Sequence, residues 1–361
     1  MRTGIFFDTF LQGGGAEKII EVLAEELNAD IITSGFNENL YNERIKDKVK
    51  DIGNSFYGIN NRLGFFETAF RFYFNRKEFD YDFYIFGGIF SIFAAKGNTP
   101  NCWFCFSPNR TLYDLKEKRI GESGVIGKAI LQAYTNTLKP IDQKIVKKDI
   151  ERIITISKNS VGRVKKFYGL DSKIIYPPIE TEKYRFREFG EYYFTANRLV
   201  PEKRVDLIAR AFTRMPEKKL VIAGYGAEEK KIKKIIQGCK NIEFVDRISE
   251  KELIEHYSRC LATIYMPVDE DFGMIPLEGN ASGKPCIAVN EGGCKETILQ
   301  GKTGFLVEPK EEEIIKTVKG LNAKKVEEMK SACINWAKKF DKKYYLEKWK
   351  KEIKEAVKEK K

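Results

Sequence analysis

The sequence predicts an α/β protein made of two doubly wound, Rossmann-like domains. The 361 residues exceed what one compact core usually holds, and a composition that is 42% hydrophobic can fill two cores. Short apolar runs alternate with amphipathic stretches, as parallel strands alternate with the helices that cover them. This alternation stops at the charged residues 180–191 and starts again at Tyr192. We therefore predict a first domain at residues 1–180, a second at 181–337 and a returning terminal helix at 338–361.

The first domain is predicted to begin with strand, glycine loop, helix and strand. Residues 4–7 are apolar, Gly14 and Gly15 close the loop, and apolar side chains recur at helical spacing over residues 16–28. Such a loop can cradle a phosphate, although this one matches neither common phosphate-binding glycine motif. Later strands are predicted at 31–33, 82–86, 101–106, 153–157 and 174–178, with helices at 125–138 and 158–168.

The second domain carries the stretch around which the chain is organised. Residues 261–267 form a predicted buried strand, so Glu270 lies in a loop at its carboxyl end, where open α/β sheets bind ligands. A predicted helix at 275–281 leaves the amides of residues 273–275 free to bind an anion. Other strands are predicted at 192–195, 220–223, 242–245 and 286–289, and a helix at 205–214. Taken alone, Glu270 and Glu278 could equally be ordinary acids near a helix start.

Two cations follow the first strand of the second domain. Arg198 and Lys203 project from a loop and a helix start, where an anion is favoured. Without further information, two surface cations would be an equally good interpretation. Ser249 begins a later helix with a capping box to Glu252, and Ile248 lies in the loop just before it.

The acids, glycines and cations together resemble a known family. Glu270, seven intervening residues and Glu278, with Phe272-Gly273 after the first acid, are similar to the signature of retaining glycosyltransferases of family 4. The resemblance implies that Glu270 contacts the transferred sugar and Glu278 the nucleotide ribose. It places the donor diphosphate and base on ten residues, Gly14, Gly15, Arg198, Lys203, Ile248, Phe272, Gly273, Met274, Ile275 and Glu278.

The acceptor side of the resemblance departs from the family's pattern. Residues 107–114 are similar to a segment that many mannose-transferring members begin with a histidine, and Phe106 stands at the position of that histidine. A histidine role on the acceptor side is therefore not carried over. The resemblance leaves four acceptor-side residues, Phe106, Arg110, Tyr113 and Asp114.

The resemblance implies a GT-B architecture, with the two domains facing each other across a cleft and the last helix crossing back to the first. It implies transfer of a hexose, mannose being favoured, with retention, from a GDP- or UDP-linked donor to a glycan or lipid-linked acceptor. We expect no metal or cofactor, because Arg198, Lys203 and the amides near Gly273 can neutralise the leaving diphosphate. A nucleotide-sugar epimerase of the same fold and a silent nucleotide-sugar-binding protein are the alternatives.

Charge and hydropathy bear on location and partners. The net charge of +12 arises from 64 basic and 52 acidic residues and favours an anionic partner, but no nucleic-acid recognition motif is present. We expect a cytoplasmic protein, since the start lacks a signal-peptide pattern and no apolar run is long enough to span a membrane. Residues 55–76 are rich in aromatic and basic side chains, and residues 116–149 and the lysine-rich tail are basic. All three segments could contact an anionic membrane face. Alternatively, residues 55–76 form a core helix and the two basic segments are solvated surfaces.

Overall fold

The computed structural model describes residues 1–53 and 61–360, which form two compact units. The first unit contains Met1–Tyr176 together with Leu346–Lys361, and the second contains Pro177–Tyr345. The chain thus leaves the first unit just before the charged stretch at 180–191 and re-enters it within the last helix.

A parallel sheet of seven strands forms the centre of the first unit, in the order β3-β2-β1-β4-β5-β6-β7. Its register pairs Ile5 with Ile31 on one side and with Ile85 on the other. The strands are β1 (Thr3–Phe7), β2 (Asp30–Thr33), β3 (Val49–Asp51), β4 (Phe83–Gly87), β5 (Asn101–Cys105), β6 (Ile153–Thr155) and β7 (Lys173–Ile174). The helices are α1 (Gly15–Leu27), α2 (Glu43–Lys46), α3 (Asn61–Asn75), α4 (Lys116–Gly121), α5 (Val125–Lys148) and α6 (Lys158–Tyr168).

The second unit repeats this plan with six parallel strands in the order β10-β9-β8-β11-β12-β13. Its strands are β8 (Tyr192–Ala196), β9 (Lys219–Ala223), β10 (Ile242–Val245), β11 (Ala262–Tyr265), β12 (Cys286–Val289) and β13 (Gly304–Val307). Its helices are α7 (Val205–Thr213), α8 (Glu229–Ile235), α9 (Glu250–Arg259), α10 (Met274–Ala281), α11 (Cys294–Thr297), α12 (Glu311–Lys319) and α13 (Ala323–Ala337). The last helix, α14 (Lys342–Glu359), begins in this unit and ends in the first.

Strand order reverses once in each sheet, between β1 and β4 in the first unit and between β8 and β11 in the second. At such a reversal the two adjoining crossover connections lie on opposite faces of the sheet. A crevice therefore opens at the carboxyl ends of those two strands, and it is where ligands bind in folds of this kind.

The helix ends follow local signals in most places. Ser249 accepts a hydrogen bond from the amide of Glu252 in the predicted capping box, and Gly169 ends α6 in a left-handed conformation. The predicted end of α5 at residue 138 was wrong, because the helix continues through Pro140 to Lys148. Ile145 and Val146 are buried in the core beyond the proline, and their burial outweighs the helix-breaking effect of about 3 kcal/mol.

The part of α14 that belongs to the first unit packs against its sheet. Trp349 is fully buried, with its ring centroid 4.9 Å from that of Phe104 in an edge-on contact. Glu352 binds Arg152 at 2.9 Å and Lys173 at 2.7 Å. These contacts explain why a helix so rich in lysine is held on the first unit.

The structure contains neither a disulfide bond nor a membrane-spanning helix among the described residues. All seven cysteines are free thiols, and burial raises the pKa of Cys102 and Cys105 well above the usual range. Within residues 1–53 and 61–360, no helix is both long and apolar enough to cross a membrane.

Candidate functional site

The strand reversal of the second sheet brings together the residues that the signature singled out. Arg198 and Lys203 follow β8, and Glu270 follows β11, the strand that pairs directly with β8. Lys203 and Glu270, which are 67 positions apart in the sequence, therefore meet beyond the carboxyl ends of these two central strands. The fold itself thus gathers the two cations and the first acid of the signature at one crevice.

Glu270 is bound by two side chains in this crevice. Lys203 forms an ion pair with its Oε2, and the hydroxyl of Tyr265 donates to the same oxygen at 2.7 Å. Lys203 Nζ also lies 3.1 Å from the Tyr265 hydroxyl. Burial, and then the negative charge of Glu270, raise the pKa of Tyr265 well above its usual range, so its hydroxyl remains a donor. Lys203, Tyr265 and Glu270 form one polar cluster, of which sequence reasoning found two members and missed the tyrosine.

A glycine pair fixes the position of the Glu270 loop. The amide of Gly293 donates to the carbonyl oxygen of Glu270 at 2.7 Å. A Cβ atom on Gly293 would lie 2.4 Å from the Cα of Phe272, and one on Gly292 would lie 2.4 Å from the Glu270 carbonyl oxygen. Since the two backbones touch, only glycine fits at either position, and the loop cannot drift away from the crevice.

Glu291 supports the same loop from the other side and was not predicted as a site residue. Its carboxylate accepts from the Arg204 guanidinium at 3.0 Å and from the Asp269 amide at 3.2 Å. Arg204 and Asp269 have φ values of 46° and 42°, a left-handed conformation that costs energy for side chains other than glycine. One carboxylate therefore holds two strained residues that flank Lys203 and Glu270.

Arg198 differs from Lys203 in being exposed. Within the described part of the chain it has no ion pair or side-chain hydrogen bond. Its loop is fixed by the Gly224–Gly226 turn, in which the Tyr225 carbonyl accepts from the Leu199 amide at 2.8 Å. A Cβ atom on Gly224 would lie 1.9 Å from the Asn197 carbonyl oxygen, so these glycines allow close packing of the turn. Arg198 is available for an anion at this crevice.

Helix α10 begins immediately after the Glu270 loop. Gly273 precedes it with a φ of 87°, and the amides of Met274 and Ile275 belong to the first turn, where no intrahelical acceptor exists. Phe272 points into the core, 2% exposed, with its ring centroid 5.8 Å from that of Phe340. The backbone at 273–275 is thus suited to an anion, whereas the Phe272 side chain anchors the helix start.

Glu278 lies one helical turn further along α10. The hydroxyl of Tyr257 donates to its Oε2 at 2.9 Å. Burial, and then the charge of Glu278, raise the pKa of the nearby Tyr184. Ile248, in the loop after β10, packs against a small core cluster that includes Tyr257 and Phe194. Tyr257 is therefore shared between the contact to Glu278 and the small core cluster that Ile248 covers.

The predicted glycine loop of the first unit has an unexpected occupant. The carboxylate of Glu17 accepts from the amides of Leu11 at 2.9 Å, Gln12 at 3.2 Å and Gly14 at 2.6 Å. Glu17 is buried, while Gly14 and Gly15 are exposed. The Glu17 carboxylate thus already accepts hydrogen bonds from three amides of the loop. A phosphate at Gly14 and Gly15 would have to bind other amides of the same loop.

The acceptor-side residues divide into two environments in the first unit. Phe106 and Arg110 line a cavity of about 590 Å³ near the β1–β4 reversal. Asp114 does not line it, but binds Arg110 at 2.8 Å. Tyr113 also lies outside the cavity, with its ring stacked 4.5 Å from that of Phe167 and its hydroxyl donating to Asp142 at 2.6 Å. Tyr113 is thus engaged in packing, and Asp114 is linked to the cavity by its ion pair with Arg110.

Asp8, which was not predicted, lies in this cavity at the end of β1. Its carboxylate accepts from the amides of Ile89 at 2.8 Å, Phe90 at 2.9 Å and Ser91 at 2.8 Å. Burial raises its pKa to about 6 despite these hydrogen bonds. No sequence pattern identifies this residue, because its partners follow β4, some eighty positions away.

Metal-ligating side chains are not clustered in the described residues, where no group of three or more His, Cys, Asp and Glu could hold an ion. The single histidine, His256, stacks on Phe194 with ring centroids 4.7 Å apart, and burial lowers its pKa.

Comparison with known proteins agrees with the geometry of the second unit. A family model described as glycosyl transferases group 1 matches residues 178–340, which include the whole Lys203–Glu270 crevice. The match extends over nearly the whole second unit. The predicted resemblance to glycosyltransferases is thereby confirmed over the part of the chain that carries the signature.

Relatives in this glycosyltransferase family match over parts of their length. The chain is 45% identical over 73 residues to Alpha-1,3/1,6-mannosyltransferase ALG2 of Dictyostelium discoideum, covering 20% of this chain and 17% of that protein. It is 31% identical over 140 residues to the GDP-mannose-dependent alpha-(1-6)-phosphatidylinositol monomannoside mannosyltransferase of Mycolicibacterium smegmatis, covering 34% of this chain and 36% of that protein. The matched segments thus span about a sixth to just over a third of the length of these relatives.

The fold is shared over nearly the entire chain. The crystal structure of Anabaena Alr3699/HepE in complex with UDP superposes with a TM-score of 0.78 at 16% identity, covering 98% of this chain and 100% of that one. This likeness confirms the predicted GT-B fold with two Rossmann-like domains.

Proposed function

We propose that this chain is a glycosyltransferase that moves a hexose from a nucleoside-diphosphate sugar to an acceptor hydroxyl. The observation that carries the proposal is the crevice at the β8–β11 reversal, where Arg198, Lys203, Glu270 and the start of α10 converge. Two cations and free amides suit a diphosphate, and a carboxylate beside them suits a sugar ring that becomes positively charged.

The reaction follows from the charges at this crevice. The bond between the anomeric carbon and the diphosphate oxygen breaks, and the negative charge develops on that oxygen. Arg198, Lys203 and the amides of residues 273–275 stabilise this charge, while Glu270 stabilises the cationic ring. The acceptor oxygen attacks on the face from which the diphosphate leaves and passes its proton to the departing phosphate. Configuration at the anomeric carbon is retained, and no protein base is required.

Lys203 has a second task in the absence of donor, which is to neutralise Glu270. When the diphosphate binds, the ammonium group is shared between two anions, and Tyr265 continues to hold the glutamate. Glu270 is then available to the sugar without becoming an unpaired, partly buried charge.

Mannose is the proposed hexose and GDP or UDP the carrier, since two relatives are named as mannosyltransferases and one as GDP-mannose-dependent. The mycobacterial relative acts on a phosphatidylinositol monomannoside, which supports a lipid-linked or glycan acceptor here. We place the acceptor in the cavity that Phe106 and Arg110 line, and the protein peripherally at a cytoplasmic membrane face. The epimerase alternative is less well supported, because His256 is stacked on Phe194 rather than available for acid–base chemistry.

A donor panel tests this proposal. The purified chain is incubated with GDP-mannose, UDP-glucose and related donors, with and without lipid-linked sugars, and release of nucleoside diphosphate is measured. We expect acceptor-dependent release from one donor. Tight nucleotide binding without release from any donor and acceptor combination would instead indicate a silent binding protein.

The reaction is expected to need no divalent metal, because side-chain cations and amides neutralise the diphosphate. Turnover should stay within about twofold of the untreated rate after EDTA, since no step here relies on a Lewis acid. Adding magnesium or manganese back is the matching control. Complete loss with EDTA and recovery with either ion would contradict the assignment of the diphosphate to Arg198 and Lys203.

Glu278→Ala is expected to weaken nucleotide binding. A carboxylate can accept from both ribose hydroxyls, so its loss should cost about 1.5 to 3 kcal/mol of nucleoside-diphosphate affinity. Calorimetric titration measures this change, with Glu312→Ala on α12 as a control acid of the same unit. Tyr257→Phe should give a smaller loss in the same direction, because Tyr257 only orients the carboxylate. If the nucleotide affinity of Glu278→Ala is unchanged, Glu278 does not bind the ribose.

A further inference from the structure

Helices α3 and α5 of the first unit expose an unusual amount of apolar surface. Of the twelve large apolar side chains that are exposed among the described residues, seven lie on these two helices. Phe70 is 58% and Phe74 70% exposed, and Ile126 is 77% exposed. Apolar surface concentrated in this way usually marks an interaction site.

The core does not require these outward side chains. Phe72 on α3 and Leu138 on α5 are buried and supply the contacts that fold the unit. Phe66 joins the helices by packing edge-on against Tyr134, with ring centroids 5.1 Å apart. The exposed rings are therefore additional to the packing that holds α3 and α5 together.

A groove runs between the two helices, with a cavity of about 630 Å³. Phe70 and Phe74, which stack with ring centroids 6.2 Å apart, form one wall. Leu138 and Ile141 form part of the other. Most of the lining side chains are apolar, and the charged ones among them are mainly lysines.

The charges at the groove favour an anionic partner. Lys96, Lys144 and Lys148 line it together with one acid, Asp149. On α5 the spacing of Ile126, Ile130, Ile141, Lys144 and Lys148 places all five within one stripe of the helix. The stripe is apolar over its first part and basic at its end, so hydrocarbon and cations are presented on one surface. Aromatic and basic side chains so arranged suit the boundary between acyl chains and phosphate groups.

We infer that the α3–α5 face docks on an anionic lipid bilayer. Phe70, Phe74 and Ile126 enter the hydrocarbon, and the lysines contact the lipid phosphates. Phe66 lines both this groove and the cavity that holds Phe106 and Arg110, so a lipid-linked acceptor in the bilayer would have its head group beside that cavity. The docking surface lies outside the donor crevice, so membrane binding and sugar transfer can be tested independently of each other. Phe56 and Tyr57, part of the predicted membrane-facing stretch, lie outside the described residues.

Vesicle sedimentation of the full chain tests the inference. The probe is phosphatidylcholine vesicles with about 30 mol % phosphatidylglycerol, compared with pure phosphatidylcholine, at low and high salt. We expect strong binding to the anionic vesicles only, falling steeply with salt. Phe70→Gln/Phe74→Gln should lower the partition coefficient at least about tenfold, because two rings no longer enter the hydrocarbon. Lys144→Glu/Lys148→Glu should lower it comparably and remove most of the salt dependence.

The matched control is Leu40→Gln/Tyr344→Gln, which removes two exposed apolar side chains elsewhere, each 43% exposed. It should bind vesicles like the wild type, and all variants should keep the wild-type melting temperature. In addition, Phe74→Trp should show lipid-dependent quenching by brominated acyl chains, whereas Leu40→Trp should not. Equal binding to neutral and anionic vesicles, or undiminished binding by the phenylalanine variant, would overturn the inference. So would a dimer of the wild type that Phe70→Gln/Phe74→Gln converts to monomer without changing vesicle binding, because a second copy would then cover the face.

Discussion

Glu270→Gln should lower turnover about 100- to 1,000-fold, because the carboxylate that stabilises the cationic sugar ring is lost at the point where charge develops. The substitution keeps the size of the side chain and its hydrogen bond from Tyr265, so the loop held by Gly293 should stay in place. Lys203 loses its ion-pair partner and becomes fully available to the diphosphate. Nucleoside-diphosphate affinity should therefore be unchanged or slightly tighter while turnover collapses.

Calorimetry with the nucleoside diphosphate and a steady-state turnover assay measure the two quantities in the same preparation. Glu296→Gln, another acid of the second unit that lies in α11, is the control and should behave like the wild type. If Glu270→Gln weakens the nucleotide as strongly as Glu278→Ala does, the separate sugar and ribose roles of the two acids are wrong. Near-normal turnover would mean that Glu270 does not face the reacting sugar.

The sequence was sufficient to predict the fold class, because each strand and helix has its own periodicity and these alternate regularly. The Glu270 loop was also predictable, since Pro267 ends an apolar run just before it and Gly273 precedes a helical pattern. Both features are local, so they depend only on residues near each other in the chain.

The contacts within the site could not be predicted from local patterns, because they depend on which strands are neighbours. Lys203 meets Glu270 only because β11 crosses over to pair with β8, and no local pattern encodes that pairing. Tyr265 lies in a predicted buried strand and has no sequence feature that distinguishes it from the apolar residues around it. Its hydroxyl can donate to Glu270 only because the loop after β11 turns back towards the strand. Glu17 follows the predicted phosphate-binding glycine loop closely in sequence, yet its carboxylate accepts hydrogen bonds from amides of that loop.

The acceptor side was the least predictable region. Arg110, Tyr113 and Asp114 lie within five positions, but a short helical turn sends the tyrosine into the core and leaves the arginine at the cavity. Asp8 was missed because a single acid after a strand has no distinguishing pattern until its distant amide partners are known. Side-chain direction in a short irregular segment is set by packing, which composition does not reveal.

Lys203→Ala should lower kcat/KM, with a loss of about 2 to 4 kcal/mol of transition-state stabilisation, since a charge-assisted contact to the leaving diphosphate is removed. The structure gives this residue two routes to that effect, one through the diphosphate and one through Glu270. The routes separate when Lys203→Ala is made in both the wild-type and the Glu270→Gln background. If Lys203 binds the diphosphate, nucleotide affinity falls in both backgrounds. If it acts only by holding Glu270, its removal costs nothing once the carboxylate is gone.

We expect the loss in both backgrounds, with Lys203→Arg restoring part of the affinity because it keeps the charge at a different reach. Lys219→Ala, at an exposed lysine on β9 that pairs with Glu191, is the control and should leave both nucleotide affinity and turnover unchanged. Activity of Lys203→Ala within twofold of the wild type would show that Arg198 and the α10 amides suffice for the diphosphate. Lys203 would then be a structural partner of Glu270, and the crevice would hold the donor with one side-chain cation instead of two.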